Sequence, residues 1–163
     1  DAMFFWEEDQ KVKLESNLET LKNVIYQAKL GSSFEKVERF TQIAKGLAER
    51  FEPTAVALTE RAARLAKCDL ESKMVYEFPE LQGIMGREYS RLEGEDPRVS
   101  IAIFEHYLPT EAGGTLPSDN LGAFVGDNLF GFFVIQDRHR SLGRPFSLVN
   151  VLNEAITLPC RRL

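Results

Sequence analysis

Phe78-Pro-Glu-Leu-Gln-Gly-Ile-Met-Gly-Arg-Glu-Tyr89 combines a helix-start signal with two glycines and several polar side chains. Pro79 suits the first turn of a helix, where its missing N–H is not needed. Apolar residues then recur at helical spacing, namely Leu81, Ile84, Met85 and Tyr89. We therefore predict an amphipathic helix that begins at Pro79.

Gly83 and Gly86 fall on this predicted helix, where each costs about 1 kcal/mol relative to alanine. Such a cost is offset when the missing side chain lets another backbone approach closely. Two interpretations follow. The segment is either a tightly packed core helix with a solvated rim, or an interface that uses both glycines together with Glu80 and Gln82.

The composition is that of a globular domain. A chain of 163 residues, 44% hydrophobic and 28% charged, fits one domain with a sizeable core. It contains no run of about 18 apolar residues, so we expect neither a membrane span nor a membrane partner. Cys68 and Cys160 provide no metal-ligand spacing and no disulfide framework, which favours a reducing cytoplasm. The aromatic cluster Phe4-Phe5-Trp6, with no initiator methionine before Asp1, suggests a segment of a larger protein.

The rest of the chain predicts an all-α fold of about seven or eight helices. Leucine spacing predicts a helix from Leu14 to Leu30, capped by Gly31. Ser32 and Glu35 have the spacing of a capping box, which starts the next helix. Further helices are predicted from Pro53 to Ala66, from Asp69 as a cap through Val75, and from Asp96-Pro97 to about Pro109. The apolar stretch Leu121–Ile135 predicts another helix, with a strand through Phe132–Ile135 as the alternative, and a last helix is predicted from Pro145 to Leu158. Thr110–Asp119 has the composition of a loop.

The net charge of −5 argues against a general nucleic-acid binder, and no DNA partner is expected. The charge is uneven, because residues 136–163 hold five arginines against two acidic residues. Arg138, Arg140 and Arg144 lie in a predicted basic loop and could donate to the phosphates of an RNA backbone. A solvated loop is the alternative interpretation.

Several separated motifs resemble one family. Three motifs carry the resemblance: Phe-Phe-Trp-Glu-Glu-Asp at position 4, Phe-Pro-Glu-Leu-Gln-Gly-x-Met-Gly-x-x-Tyr at 78 and Glu-His-Tyr-Leu-Pro at 105. They occur in the order found in the β subunit of bacterial-type glycyl-tRNA synthetase. The resemblance is to the helical HD-like domain of that subunit. It weakens past Gly122, where Gly126–Phe130 replaces the usual Ala-Asp-Lys-Leu-Asp and Val149-Asn150 replaces a pair of arginines.

The resemblance implies a single HD-like domain over residues 1–163, a segment of a ligase subunit that joins glycine to its tRNA. It implies that the α subunit binds ATP, Mg and glycine, whereas this segment holds no cofactor and has no catalytic residue. Glycine tRNA, the α subunit and the remaining β-subunit domains are the implied partners. The candidate tRNA contacts are Arg138, Arg140, Arg144, His106 and Arg87.

The HD superfamily holds a metal with histidines and aspartates on neighbouring helices. Here Lys67-Cys68-Asp69 stands where His-Asp would be expected, so we interpret the metal site as lost. A surviving phosphohydrolase that uses Asp69, His106 and Asp127 is the alternative. His106 lies near a predicted helix end, where the helix dipole favours an imidazole, and a polar contact with a partner is the competing role.

Overall fold

The computed structural model describes residues 2–27, 31–108, 110 and 114–126. Arg138, Arg140, Arg144 and Asp127 lie outside these residues, as do the helix predicted from Pro145 and most of the one within Leu121–Ile135. Eight α-helices and one small antiparallel hairpin make up the regular structure of the described chain. The predicted all-α class is confirmed.

The helices are α1 (Ala2–Asp9), α2 (Asn17–Thr20), α3 (Ser33–Phe51), α4 (Val56–Leu65), α5 (Lys73–Glu77), α6 (Ile84–Leu92), α7 (Pro97–Glu105) and α8 (Asn120–Val125). The hairpin pairs β1 (Ile25–Gln27) with β2 (Gly31–Ser32). Short 3₁₀ helices cover Leu14–Ser16, Leu21–Asn23, Pro53–Ala55, Cys68–Glu71 and Pro79–Leu81. None of the described helices has the length and apolar character needed to cross a bilayer.

The core lies between α3, α4, α7 and α8. Helix α4 packs against both α3 and α7, and α8 contacts all three. Small side chains on and beside α4 are fully buried, namely Ala55, Ala62, Ala63 and Ala66, so the neighbouring helices approach closely. Phe51 and Phe124 stack on each other in this core, with ring centroids 6.5 Å apart.

The predicted helix from Leu14 to Leu30 is wrong. Its leucines at 14, 18 and 21 are buried, but they belong to two 3₁₀ helices and the four-residue α2. Val24 then takes an extended conformation, and Ile25 on β1 is 79% exposed. A run of β-branched and aromatic residues at 24–26 favours a strand over a helix. Gly31, predicted to be a helix cap, lies on β2 with φ of 84°.

Two of the helix starts that the sequence predicted from capping residues are present in the structure. Ser32 Oγ accepts the N–H of Glu35, and the Glu35 carboxylate accepts the N–H of Ser32 at 2.7 Å, which completes the predicted capping box of α3. Asp96 caps α7 through the N–H of Arg98, as predicted. That helix ends at Glu105, four residues earlier than predicted.

Asp69 does not cap the helix that reaches Val75, which corrects the prediction. Ser72 precedes α5 with extended backbone angles and accepts the N–H of Val75 at 3.2 Å. Asp9 supplies a second cap, because its carboxylate accepts the N–H groups of Lys73 and Met74 at 2.9 and 3.0 Å. Asp69 lies inside the preceding 3₁₀ helix, where the extended geometry of an N-cap is not available.

Replacing Ser32 with alanine should lower the free energy of unfolding by about 1 kcal/mol, because the N–H of Glu35 loses its acceptor. Urea unfolding followed by circular dichroism measures this change. Ser33→Ala, one residue later in the same first turn, is the matched control. Equal effects of the two substitutions would contradict a capping role for Ser32.

Candidate functional site

The segment from Phe78 to Tyr89 is two helices and not one. Pro79–Leu81 forms a 3₁₀ turn, Gln82 is extended, and α6 begins at Ile84. Gly83 between them has φ of 79°, a left-handed conformation that glycine adopts without steric cost. The predicted continuous helix is therefore wrong, because Gly83 is the residue at which the chain turns.

Gly83 has no side chain with which to cap α6, and Asp69 supplies the cap instead. One carboxylate oxygen, Oδ2, accepts the N–H of Gly83 at 2.6 Å and the N–H of Gly86 at 3.2 Å. Gly83 is the residue before α6 and Gly86 lies in its first turn, where N–H groups have no partner within the helix. A carboxylate at this end also interacts favourably with the helix dipole. Asp69 thus holds the start of α6 from a distant point in the sequence.

The two glycines let α6 lie directly against α7 and the residues after it. A Cβ at Gly86 would lie 2.7 Å from Cγ2 of Ile103 and 3.1 Å from the Asp69 carboxylate. A Cβ at Gly83 would lie 2.7 Å from the ring of Tyr107. The glycines therefore serve packing within this domain, and the predicted interface through them is not supported.

Glu80 and Gln82, the other two residues of that predicted interface, are exposed on the turn before α6. Their side chains stay available to a partner, so a contact there remains a prediction.

The environment of Asp69 is buried and polar. Asp69 itself is fully buried, and burial raises the pKa of its carboxyl to about 6, against the opposing effect of the two N–H groups. Lys67 is also buried, with Nζ 3.9 Å from the ring centroid of Tyr107. Burial likewise raises the pKa of the Cys68 thiol to about 12, so this cysteine stays protonated at neutral pH.

This set of groups does not fit an HD-type metal centre. In the described part of the chain, no group of three or more histidine, cysteine, aspartate or glutamate side chains is placed to hold a metal ion. Asp69 Oδ2 is already engaged by two backbone N–H groups. Asp127, the third member of the alternative hydrolase set, lies outside the described residues.

His106 is the C-terminal cap residue of α7, so its predicted place at a helix end is confirmed. Its side chain is fully buried, and Nδ1 lies 2.5 Å from the carbonyl oxygen of Ile103, to which it donates. The ring packs on Tyr107 with centroids 3.8 Å apart. A direct contact between His106 and tRNA is incompatible with this burial.

Arg87 is half-exposed on α6. Its Nε donates to Glu88 at 3.0 Å, and the guanidinium lies 5.0 Å from the ring centroid of Phe104. Glu88 also binds Arg91. Burial alone would raise the pKa of the Glu88 carboxyl, but its bonds to Arg91 and Arg87 lower that pKa below its usual value. Arg87 can reach a ligand, but its charge is already balanced by a neighbour.

Asp9, for which the sequence predicted no role, links three helices. Besides capping α5, its carboxylate accepts the hydroxyl of Tyr89 on α6 at 2.8 Å. Trp6 packs on the same tyrosine, with ring centroids 5.4 Å apart. Burial and the bond to Asp9 both raise the pKa of Tyr89. The acidic run after Phe4-Phe5-Trp6 was the available signal, but its partners lie about 65 to 80 residues away.

Comparison with known proteins gives a consistent family. Residues 1–158 match the model of the glycyl-tRNA synthetase β subunit. The glycine–tRNA ligase β subunit of Syntrophotalea carbinolica is 59% identical over 94% of this chain and 24% of the relative. That of Geobacter sulfurreducens is 52% identical over 99% of this chain and 25% of the relative. The chain thus spans about a quarter of the length of these curated relatives.

Gly86→Ala should lower the free energy of unfolding by about 1–3 kcal/mol, although alanine is the better helix former. The reason is the 2.7 Å approach of the added Cβ to Ile103. The same substitution in an Ile103→Ala background should cost clearly less, because the 2.7 Å contact is gone and only the 3.1 Å approach to the Asp69 carboxylate remains. Additive costs in this double-mutant cycle, measured by urea unfolding, would show that the close contact is not the cause.

Asp69 should make stability depend on pH. Its pKa in the folded state, about 6, exceeds the usual value, so its contribution is fully present below about pH 4 and is lost as pH rises through 6. The amide in an Asp69→Asn variant cannot ionise. The unfolding free energy of the natural protein minus that of Asp69→Asn should therefore fall by about 2 kcal/mol between pH 4 and pH 7. A difference that stays constant across this range would refute the raised pKa.

Proposed function

This chain belongs to the glycyl-tRNA synthetase β-subunit family, and we propose that it forms an accessory helical domain that contacts glycine tRNA during the attachment of glycine to that tRNA. The family match over residues 1–158 is the observation that carries the proposal. The α subunit and the other β-subunit domains are its proposed partners, with ATP and Mg bound by the α subunit. The proposed location is the cytoplasm, and the proposed architecture is HD-like.

A non-catalytic role is supported by what the buried polar groups do. Asp69 caps α6, and His106 donates to the end of α7. The Cys68 thiol donates to the carbonyl oxygen of Arg64 at 3.4 Å and is buried. Each of these three groups is thus committed to holding the backbone. This weakens the hydrolase alternative.

The tRNA contact is proposed to be local, because the body of the domain is acidic. Arg138, Arg140 and Arg144 lie in the part of the sequence with an excess of basic residues. Arginine suits phosphate recognition, since its planar guanidinium donates two parallel hydrogen bonds. Arg87 is a secondary candidate, because Glu88 competes with phosphate for its guanidinium.

Alanine at Arg138, Arg140 and Arg144 together should raise the KM for tRNA several-fold in the complete two-subunit synthetase. The rate of glycine-dependent ATP–pyrophosphate exchange should not change, because the activating site is proposed to lie in the α subunit. The slope of log Kd for tRNA against log salt concentration should decrease by about 1 for each phosphate contact removed.

The matched control replaces three surface lysines of the described residues with alanine, namely Lys13, Lys22 and Lys45. Lys22 and Lys45 form exposed ion pairs with Glu19 and Glu60, which contribute little to stability. This triple alanine variant should keep the natural KM and salt slope. If the arginine variant bound tRNA no more weakly than this control, the basic segment would not be a tRNA contact.

A further inference from the structure

Helix α1 has no fully buried residue, although Phe5 and Trp6 are partly buried against the core. It carries Met3, Phe4, Phe5 and Trp6 in sequence, and Met3 and Phe4 are 62% and 55% exposed. Exposed apolar patches of this kind on a folded domain mark binding surfaces. The location of α1 is nevertheless fixed, because Asp9 and Trp6 attach it to α5 and α6.

Helix α5 extends the same apolar surface. Tyr76 is 81% exposed, and together with Phe5 and Leu70 it lines a cavity of about 320 Å³ beside α1. The Nζ of Lys73 lies 5.8 Å from the ring centroid of Phe4, which places that ring next to the cavity. An apolar side chain of a partner would fit between the two helices.

A second cavity of about 480 Å³ adjoins the first and shares Glu71, Ser72 and Lys73 with it. Val12 and Leu92 line this second cavity and are 52% and 51% exposed. We call the two cavities together the α1–α5 groove. Of the ten large hydrophobic side chains exposed in the described residues, five lie in the groove or on the adjoining α1, namely Met3, Phe4, Val12, Tyr76 and Leu92. Such clustering distinguishes a binding surface from scattered exposure.

The lining of the groove is acidic, with five carboxylates against two lysines. Both lysines, Lys11 and Lys73, are paired with Glu8, whose pKa they lower. Glu71 and Glu77 are exposed on the rim. A phosphate backbone would be repelled here, whereas a basic protein segment would be attracted.

We propose that the α1–α5 groove binds a segment of the remaining β subunit, with an apolar side chain between Phe5 and Tyr76 and a basic flank facing Glu71 and Glu77. The relatives are about four times as long as the part that this chain matches. A segment of the same polypeptide is present at high effective concentration, so it outcompetes a separate partner. The groove is preformed, which lowers the entropic cost of the contact.

Photocrosslinking in the complete synthetase tests this proposal. p-Benzoylphenylalanine replaces Tyr76 in the groove or, as the matched control, Ile43 on α3, which is 48% exposed and outside it. Mixing unlabelled and ¹⁵N-labelled β subunits separates crosslinks within one chain from those between two. Mass spectrometry of the peptides should show crosslinks from position 76 to a β-subunit segment of the same polypeptide, outside residues 1–163.

A crosslink only to the α subunit, to a second β subunit or to tRNA would overturn the proposal, as would a yield no greater than that from position 43. The proposal rests on the domain's proposed place in the synthetase but not on its tRNA contact. The two are tested separately: the crosslink from position 76 reports on the groove, and the KM for tRNA of the arginine variant reports on the tRNA contact, so either can fail without the other.

Discussion

The hydrogen bonds from Gly83 and Gly86 to the Asp69 carboxylate are the constraint on which the middle of the domain depends. Gly83 is needed because the chain turns there with positive φ, and a glycine has no side chain with which to cap the helix it precedes. The cap must therefore come from elsewhere. Once Asp69 occupies that position, residue 86 has to be small, because a Cβ would meet both the carboxylate and Ile103.

The Asp69 cap contributes more to the specificity of the fold than to its stability. Hydrogen bonds to a charged group contribute about 1.5–3 kcal/mol each, whereas removing a carboxylate from water costs several kcal/mol. The raised pKa of Asp69 shows that the second effect is the larger one. The carboxylate instead fixes a single position of α6 relative to α7. Asp9 plays the corresponding part at the other end of α6, where it fixes Tyr89 and the first turn of α5.

The sequence predicted those features whose partners are close in the chain. The capping box of Ser32 and Glu35 and the start at Asp96-Pro97 each involve residues within three positions. The capping role of Asp69 could not be found in this way, since Ser72 is the better local cap and the true partners lie 14 and 17 residues away. Leucine spacing alone gave a wrong helix from Leu14, because short 3₁₀ and α segments in succession bury Leu14, Leu18 and Leu21 as one helix would.

The predictions about functional residues also failed where they depended on the tertiary structure. Burial removed His106 from the candidate tRNA contacts, and burial is a property of the tertiary structure that a helix-end position does not reveal. The motif from Phe78 to Tyr89 is rich in glycine and polar residues, which is typical of an interface, yet its glycines pack within the domain. The accessible apolar surface lies instead on α1 and α5, whose exposed side chains have no role in the core. The buried Asp69 carboxylate holds the start of α6, and the acidic, apolar groove is the part of the described surface that suits a protein contact.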